Sequence, residues 1–279
     1  MVPLSRQGAE HFCRTFSGLQ QPNMDIGQLY ETVLNKKKTF QEKDGTFELY
    51  RDTLLRETDR SFFLAVSCYR RALDLFTASS AFWAHVSLYY SSWFAANAIL
   101  GMFGCWVLGP RKQFRIVIEA AVHAPGHQQF NVEKNYSTQY SGSHQMFWDA
   151  YYRAMTHVVL WTNPSLHLAV TPINNSNIWP IQRRNNINYR TPVAFDLMDH
   201  YTANFKQNDF PNSLHGEIVT QFELTKTLLI LASERAVEFK LKTDVFQNFS
   251  SRSDAIKRLI YRARPANLAS HADENRFAI

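Results

Sequence analysis

Three arginines fall within eight residues of the segment IQRRNNINYRTP, at Arg183, Arg184 and Arg190, with no acidic residue beside them. Asn185, Asn186, Asn188 and Tyr189 are interleaved with them. A guanidinium is a planar fork of donors that matches phosphate oxygens two at a time, and amide side chains both donate to and accept from the edge of a splayed base. The cluster is therefore suited to RNA or nucleotide chemistry, with Arg183, Arg184, Asn188 and Arg190 as contacts and Arg184 on a phosphate. The same composition suits a polar loop whose arginines pair with carboxylates from elsewhere in the chain, and both readings stay open on sequence alone.

Other chemistries lack the residues they require. The ten histidines are scattered, with no HExxH and no pair at ligand spacing backed by carboxylates, so no metal site and no cofactor is expected. A P-loop, a GxSxG elbow and a GxGxxG after a strand are all missing from the sequence. His157 follows Arg153 on a helical stretch, but a histidine among aromatics is more often a core or boundary residue than a ligand. Cys13, Cys68 and Cys105 are odd in number and form no CxxC, which argues against a disulfide framework and fits a reducing compartment. MVPLSRQGAEHF has no hydrophobic core of signal-peptide length, so the cytoplasm is the expected location. A net charge of +6 is compatible with a polyanionic partner, and 45% hydrophobic residues exclude a disordered chain.

The cluster needs a scaffold, and the most apolar run, Phe82 to Leu108, is its centre. A run of that length is enough to span a bilayer. His85, Ser87, Ser91, Ser92 and Asn97 interrupt it, and such groups are costly in lipid unless partnered, so a helix buried on nearly all sides and no membrane contact are expected; a membrane-associated chain is the minor alternative. Before it, SFFLAVSCYRRALDLF repeats Phe62, Val66, Tyr69, Leu73 and Phe76 at helical spacing. The TASS connection is short, with Ser79 and Ser80 as N-cap candidates, which predicts an antiparallel pair. Phe82, Val86, Tyr89, Trp93, Ala96, Leu100 and Phe103 form one face of the central helix. Ser91, Ala95 and Ala98 form another, small enough for a second backbone to approach as a tight helix pair or a dimer interface.

Residues 1–25 read as a weakly ordered arm leading to a helix start at Asp25, and Lys36, Lys37 and Lys38 as a solvated helix end. After Asp44-Gly45, FELYRDTLLRETDR continues as a polar helix or helix pair. Beyond the stop at Gly109-Pro110, QFRIVIEA alternates like a strand and residues 123–143 read as a long loop. HQMFWDAYYRAMTHVVL is helical, NPSLHLAVTPINNSNIWP irregular, RRNNINYR a loop and AFDLMDHYTANF a candidate helix. LHGEIVTQFELTKTLLILASERAVEFKLK is a long final amphipathic helix, followed from Ser250 by a basic tail.

The helix carrying SLYYSSWFAANAIL resembles the second helix of the HEPN superfamily, the higher-eukaryote and prokaryote nucleotide-binding helical bundles, through Tyr89, Tyr90 and Phe94. FFLAVSCYRRALDLF resembles that family's first helix, the segment from Leu214 its last, and RRNNINYR its polar motif, with Arg184, Asn185 and Tyr189 in the motif positions. The resemblance covers about residues 60–110 and 144–242. It implies a mainly α, antiparallel HEPN-like bundle over 61–245, with an irregular insertion at about 111–143 that includes the candidate strand, an N-terminal helical extension over 1–60 and a basic tail over 246–279.

The resemblance also implies a homodimer that binds RNA or a nucleotide, and a place in prokaryotic toxin–antitoxin or antiphage defence, with a protein partner in such a complex. In catalytic members an arginine and a histidine of the motif are taken to cleave RNA without metal by attack of the ribose 2′-OH. The carry-over makes Arg184, Asn185 and Tyr189 the candidate catalytic residues, but Tyr189 stands where the histidine belongs. Tyrosine, with an ordinary pKa of about 10, is a poor general base at neutrality. His157 and His200 are candidates to replace it. Branches without the histidine look like binding or scaffolding members, so the alternative is a non-catalytic assembly subunit that docks a partner enzyme.

Overall fold

The computed structural model describes residues 4–17, 25–34, 39–41, 45–78, 80–107, 115–116, 129–131, 140–204 and 215–242, and these are mainly helical. The first helix, α1 (Arg6–Arg14), lies where a weakly ordered arm was expected. Ser5 accepts the Gly8 amide at 3.0 Å, and Ala9, Phe12 and Cys13 are buried, so tertiary packing holds a segment too short to be helical alone. Asp25 does open α2 (Ile26–Thr32): the Gln28 amide donates to Asp25 Oδ1 at 2.8 Å, and Gln28 Oε1 accepts from the Asp25 amide at 3.0 Å. Lys36, Lys37 and Lys38 lie outside the described residues, as does the chain beyond residue 242.

A short strand β1 (Thr39–Gln41) precedes α3 (Gly45–Thr77), one uninterrupted helix of 33 residues. It joins the two stretches expected as separate helices and passes through residue 60 without a break. α4 (Ala81–Met102) then folds back against α3, with Ser80 at its N-cap but no side-chain hydrogen bond from that serine. The small face of α4 is what α3 packs on. Ser91 Oγ donates to the Ala65 carbonyl at 2.6 Å, and a Cβ placed on Gly101 would lie 1.9 Å from Thr58 Oγ1. The close approach expected from Ser91, Ala95 and Ala98 is thus a helix pair within the chain.

α4 ends at Phe103 and Gly104, whose φ of 70° places it in the left-handed region that glycine adopts freely. β2 (Trp106–Val107) pairs antiparallel with β3 (Arg115–Ile116), which carries the start of the strand expected at QFRIVIEA, and β1 pairs with β4 (Gln129–Asn131). The rest of 108–139 lies outside the described residues. α5 (Ser143–Met155) lays Phe147 and Trp148 on α4, with ring centroids 5.5 Å from Trp93 and 6.4 Å from Tyr89.

From 159 to 175 the chain is a series of 3-10 turns around the four-residue α6 (His167–Val170). Buried hydroxyls fasten this stretch: Tyr151 donates to the Ala169 carbonyl at 2.8 Å, and Trp179 donates to the Tyr152 oxygen at 3.1 Å. α7 (Trp179–Tyr189), α8 (Thr191–Asn204) and α9 (Gly216–Glu238) complete the described chain.

Contacts advance together along α4 and α9, from Ser92 with Gln221 to Phe103 with Phe239, so these two helices run parallel while α3 runs opposite to α4. A polar layer sits in the α4–α9 seam. Gln221 donates to Ser92 Oγ at 2.8 Å, Ser92 lies 2.7 Å from Thr225 Oγ1, and that hydroxyl reaches the Leu88 carbonyl at 3.1 Å. The far end of α9 is tied to α1 through Arg6 with Glu238 and Lys240 with Glu10. Among the described residues no helix is long and apolar enough to cross a membrane. The three cysteines are free, with Cys13 and Cys105 buried.

Candidate functional site

The arginine cluster lies on a helix, not on the loop expected for it. Pro180 stands in the first turn of α7, where its missing N–H costs nothing, and Trp179, Ile181 and Ile187 are buried. Asparagine is a weak helix former, but those apolar anchors hold Asn185, Asn186 and Asn188 in helical register. The helical geometry separates side chains that a loop would leave together.

Arg183 turns toward α9. Its Nε lies 2.7 Å from a carboxylate oxygen of Glu217, and its guanidinium packs 5.4 Å from the Trp179 ring. Burial pulls its pKa down, and Glu217 opposes that pull. Arg183 therefore takes the bland reading of the cluster, an ion pair with a distant carboxylate.

Arg184 turns toward α4. Its guanidinium carbon sits 5.7 Å from the Tyr89 ring and 5.6 Å from the Tyr189 ring, a cation held against two π-faces. It donates to Asn185 Oδ1 at 3.0 Å and to the Tyr189 oxygen at 3.4 Å. No carboxylate pairs with it among the described residues, and its Nε is shielded from solvent without an acceptor. Asn188 is half-buried with Oδ1 also lacking a partner. Arg190 is exposed at the α7–α8 junction. The structure thus brings Arg184, Asn185 and Tyr189 together and sends Arg183 and Arg190 elsewhere.

Two histidines adjoin this site, and neither was among the candidates. His144, in the first turn of α5, has Nδ1 2.8 Å from the Tyr89 hydroxyl, and its ring lies 5.3 Å from Trp93. Trp148 Nε1–H donates to the same Tyr89 oxygen at 3.2 Å. The Tyr89 hydroxyl donates to Nδ1 when the His144 proton is on Nε2, and accepts from it when the proton is on Nδ1. Burial first, and the Arg184 charge second, lower the His144 pKa. Burial likewise raises the Tyr89 hydroxyl far above its ordinary range. His85 on α4 is completely buried, with both ring nitrogens unpartnered among the described residues, and burial together with Arg183 and Arg184 pushes its pKa down to about 3.

Neither expected substitute contacts Arg184 among the described residues. His157 is exposed beyond the end of α5, and His200 on α8 lies with its ring 5.3 Å from that of His215. His144 is 40 positions before Arg184 in the chain, and no local pattern links the two. The only hint was Tyr89, which drew notice for resemblance and not for chemistry. Among the described residues no three His, Cys, Asp or Glu side chains converge as a metal site would need.

The arrangement offers a guanidinium without a carboxylate partner among the described residues, beside an imidazole whose pKa is lowered. Such a pair suits an anion with several oxygens. No protein-family model, curated protein or solved structure matches this chain.

Proposed function

We propose that this chain binds RNA or a nucleotide through a phosphate seated on Arg184, as the likeness to HEPN proteins implies. One observation carries the reading: Arg184 is half-buried and oriented by two tyrosines, yet has no carboxylate partner among the described residues and no acceptor for Nε. Hydrogen bonds to a charged group contribute about 1.5–3 kcal/mol, and a phosphate oxygen supplies the acceptor that the protein does not. In the tautomer protonated on Nε2, His144 supplies a second donor.

Metal-independent endoribonuclease activity in toxin–antitoxin or antiphage defence is the extension of this proposal. Arg184 would stabilise charge on the phosphate under attack, while the ribose 2′-OH must lose its proton to a base. His144 takes that role only in the tautomer whose Nδ1–H donates to the Tyr89 oxygen, which leaves Nε2 free to accept. Binding is therefore the primary reading and cleavage the secondary one. A homodimer that brings two Arg184 sites face to face belongs to the same proposal.

Fluorescence anisotropy with labelled single-stranded RNA over a salt series tests it. Arg184→Ala is expected to weaken binding by roughly 10–100-fold and to reduce the salt slope by about 0.7. Unchanged affinity in a variant with a native circular dichroism spectrum overturns the assignment. The second reading, a non-catalytic subunit docking a partner enzyme, is favoured by the exposure of Trp83 at 60% and Phe195 at 67%. RNA affinity absent from wild type and variant alike selects that reading.

A further inference from the structure

Arg183 does not join Arg184, and what it does instead shapes a second site on the neighbouring face of α7. A cleft of about 320 Å³ opens between α7, the start of α9 and the turn at 173–176. Its two charged residues, Arg183 and Glu217, are paired with each other at 2.7 Å. The cleft therefore presents no net charge, which disfavours a phosphate, a carboxylate or a metal ion there and leaves it to a neutral ligand.

The remaining polar lining is mostly amide. Asn174, Gln182 and Asn186 each bring one side chain with both a donor and an acceptor. Ser176 Oγ donates to Gln182 Oε1 at 3.2 Å, which engages the acceptor and leaves the Gln182 NH₂ unused among the described residues. The Asn186 side chain has no hydrogen bond among the described residues. The guanidinium of Arg183, backed by Trp179 at 5.4 Å, adds a flat surface. Planar guanidinium groups stack on bases, and amides read base edges. The volume lies at the lower limit for a small-molecule site, enough for one heterocycle.

We propose that this cleft seats a nucleobase of the ligand whose phosphate occupies Arg184, stacked on Arg183 and read by Gln182 and Asn186. The inference rests on the proposed binding function. Adjacent residues of one helix then divide the ligand: Arg184 holds the charged part on the α4 side and Arg183 the neutral part on the α9 side.

Adenosine, guanosine, cytidine and uridine carry no phosphate, so saturation-transfer NMR with the full chain reads the cleft by itself. At least one nucleoside is expected to bind at millimolar concentration. That binding should weaken by about tenfold in Gln182→Ala/Asn186→Ala and persist in Arg184→Ala, each with native circular dichroism. No nucleoside bound by the wild type, or binding indifferent to the double substitution, overturns the proposal. The RNA anisotropy series separates the two claims. RNA affinity that depends on Arg184 without nucleoside binding removes only the cleft, whereas nucleoside binding beside RNA affinity indifferent to Arg184 removes only the phosphate seat.

Discussion

Tyr89 joins the two halves of the candidate site: its ring carries Arg184 at 5.7 Å while its hydroxyl meets His144 Nδ1 at 2.8 Å. One fully buried residue of the central helix therefore positions both the cation and the imidazole.

Tyr89→Phe keeps the ring and deletes the hydroxyl. Trp148 Nε1–H and His144 Nδ1 both lose their partner, and a buried group left unsatisfied costs about 1–3 kcal/mol. The variant should lose that much unfolding free energy in urea titration. ¹⁵N NMR of the wild-type histidines should show His144 protonated at Nε2 at neutral pH if the Tyr89 hydroxyl donates to Nδ1, and the Nδ1–H form would show that the hydroxyl accepts there instead.

His85 makes stability depend on pH. Its folded pKa is pushed from 6.5 down to about 3, because burial, Arg183 and Arg184 all oppose a charge there. Between those values the unfolded chain binds a proton that the folded chain refuses, so stability is complete above pH 6.5 and declines as pH falls toward 3. The full loss is on the order of 5 kcal/mol. His144, lowered in the same direction, adds to the decline. His85→Leu should flatten this acid limb in urea unfolding measured across pH, and an unaltered slope would mean that His85 is not its source.

Gly101 and Thr58 set the distance between α3 and α4. A Cβ on Gly101 would lie 1.9 Å from Thr58 Oγ1, which is itself held by the Leu54 carbonyl at 2.9 Å. Gly101→Ala should cost about 1–3 kcal/mol through overpacking. Removing the obstructing oxygen in Gly101→Ala/Thr58→Ala should recover part of that loss. Simple additivity of the two single effects would show that the helices do not meet at this pair.

The parts of the fold visible in the sequence are those whose cause is local. The helix start at Asp25, the short turn before α4 and the small face of Ser91, Ala95 and Ala98 each state a geometry within a few residues. α1 and α7 were not visible because neither is helical on its own terms. Gly8 weakens the first, asparagines weaken the second, and buried Phe12, Trp179 and Ile187 hold them from outside. The site divides the same way. Arg184 could be named from its neighbours, whereas the capture of Arg183 by Glu217 and the approach of His144 depend on helices far away in the chain.

The parallel pairing of α4 with α9 has a consequence for synthesis. α4 is complete at Met102, but the helix that seals its Ser92 and Leu88 seam begins only at Gly216. At ribosomal speeds of roughly 5–20 residues per second the α3–α4 hairpin emerges with that seam uncovered for on the order of 10 s. Nascent chains are therefore most open to wrong association in that interval, and the closing step is the arrival of α9, whose end then receives α1 through Glu238 and Lys240.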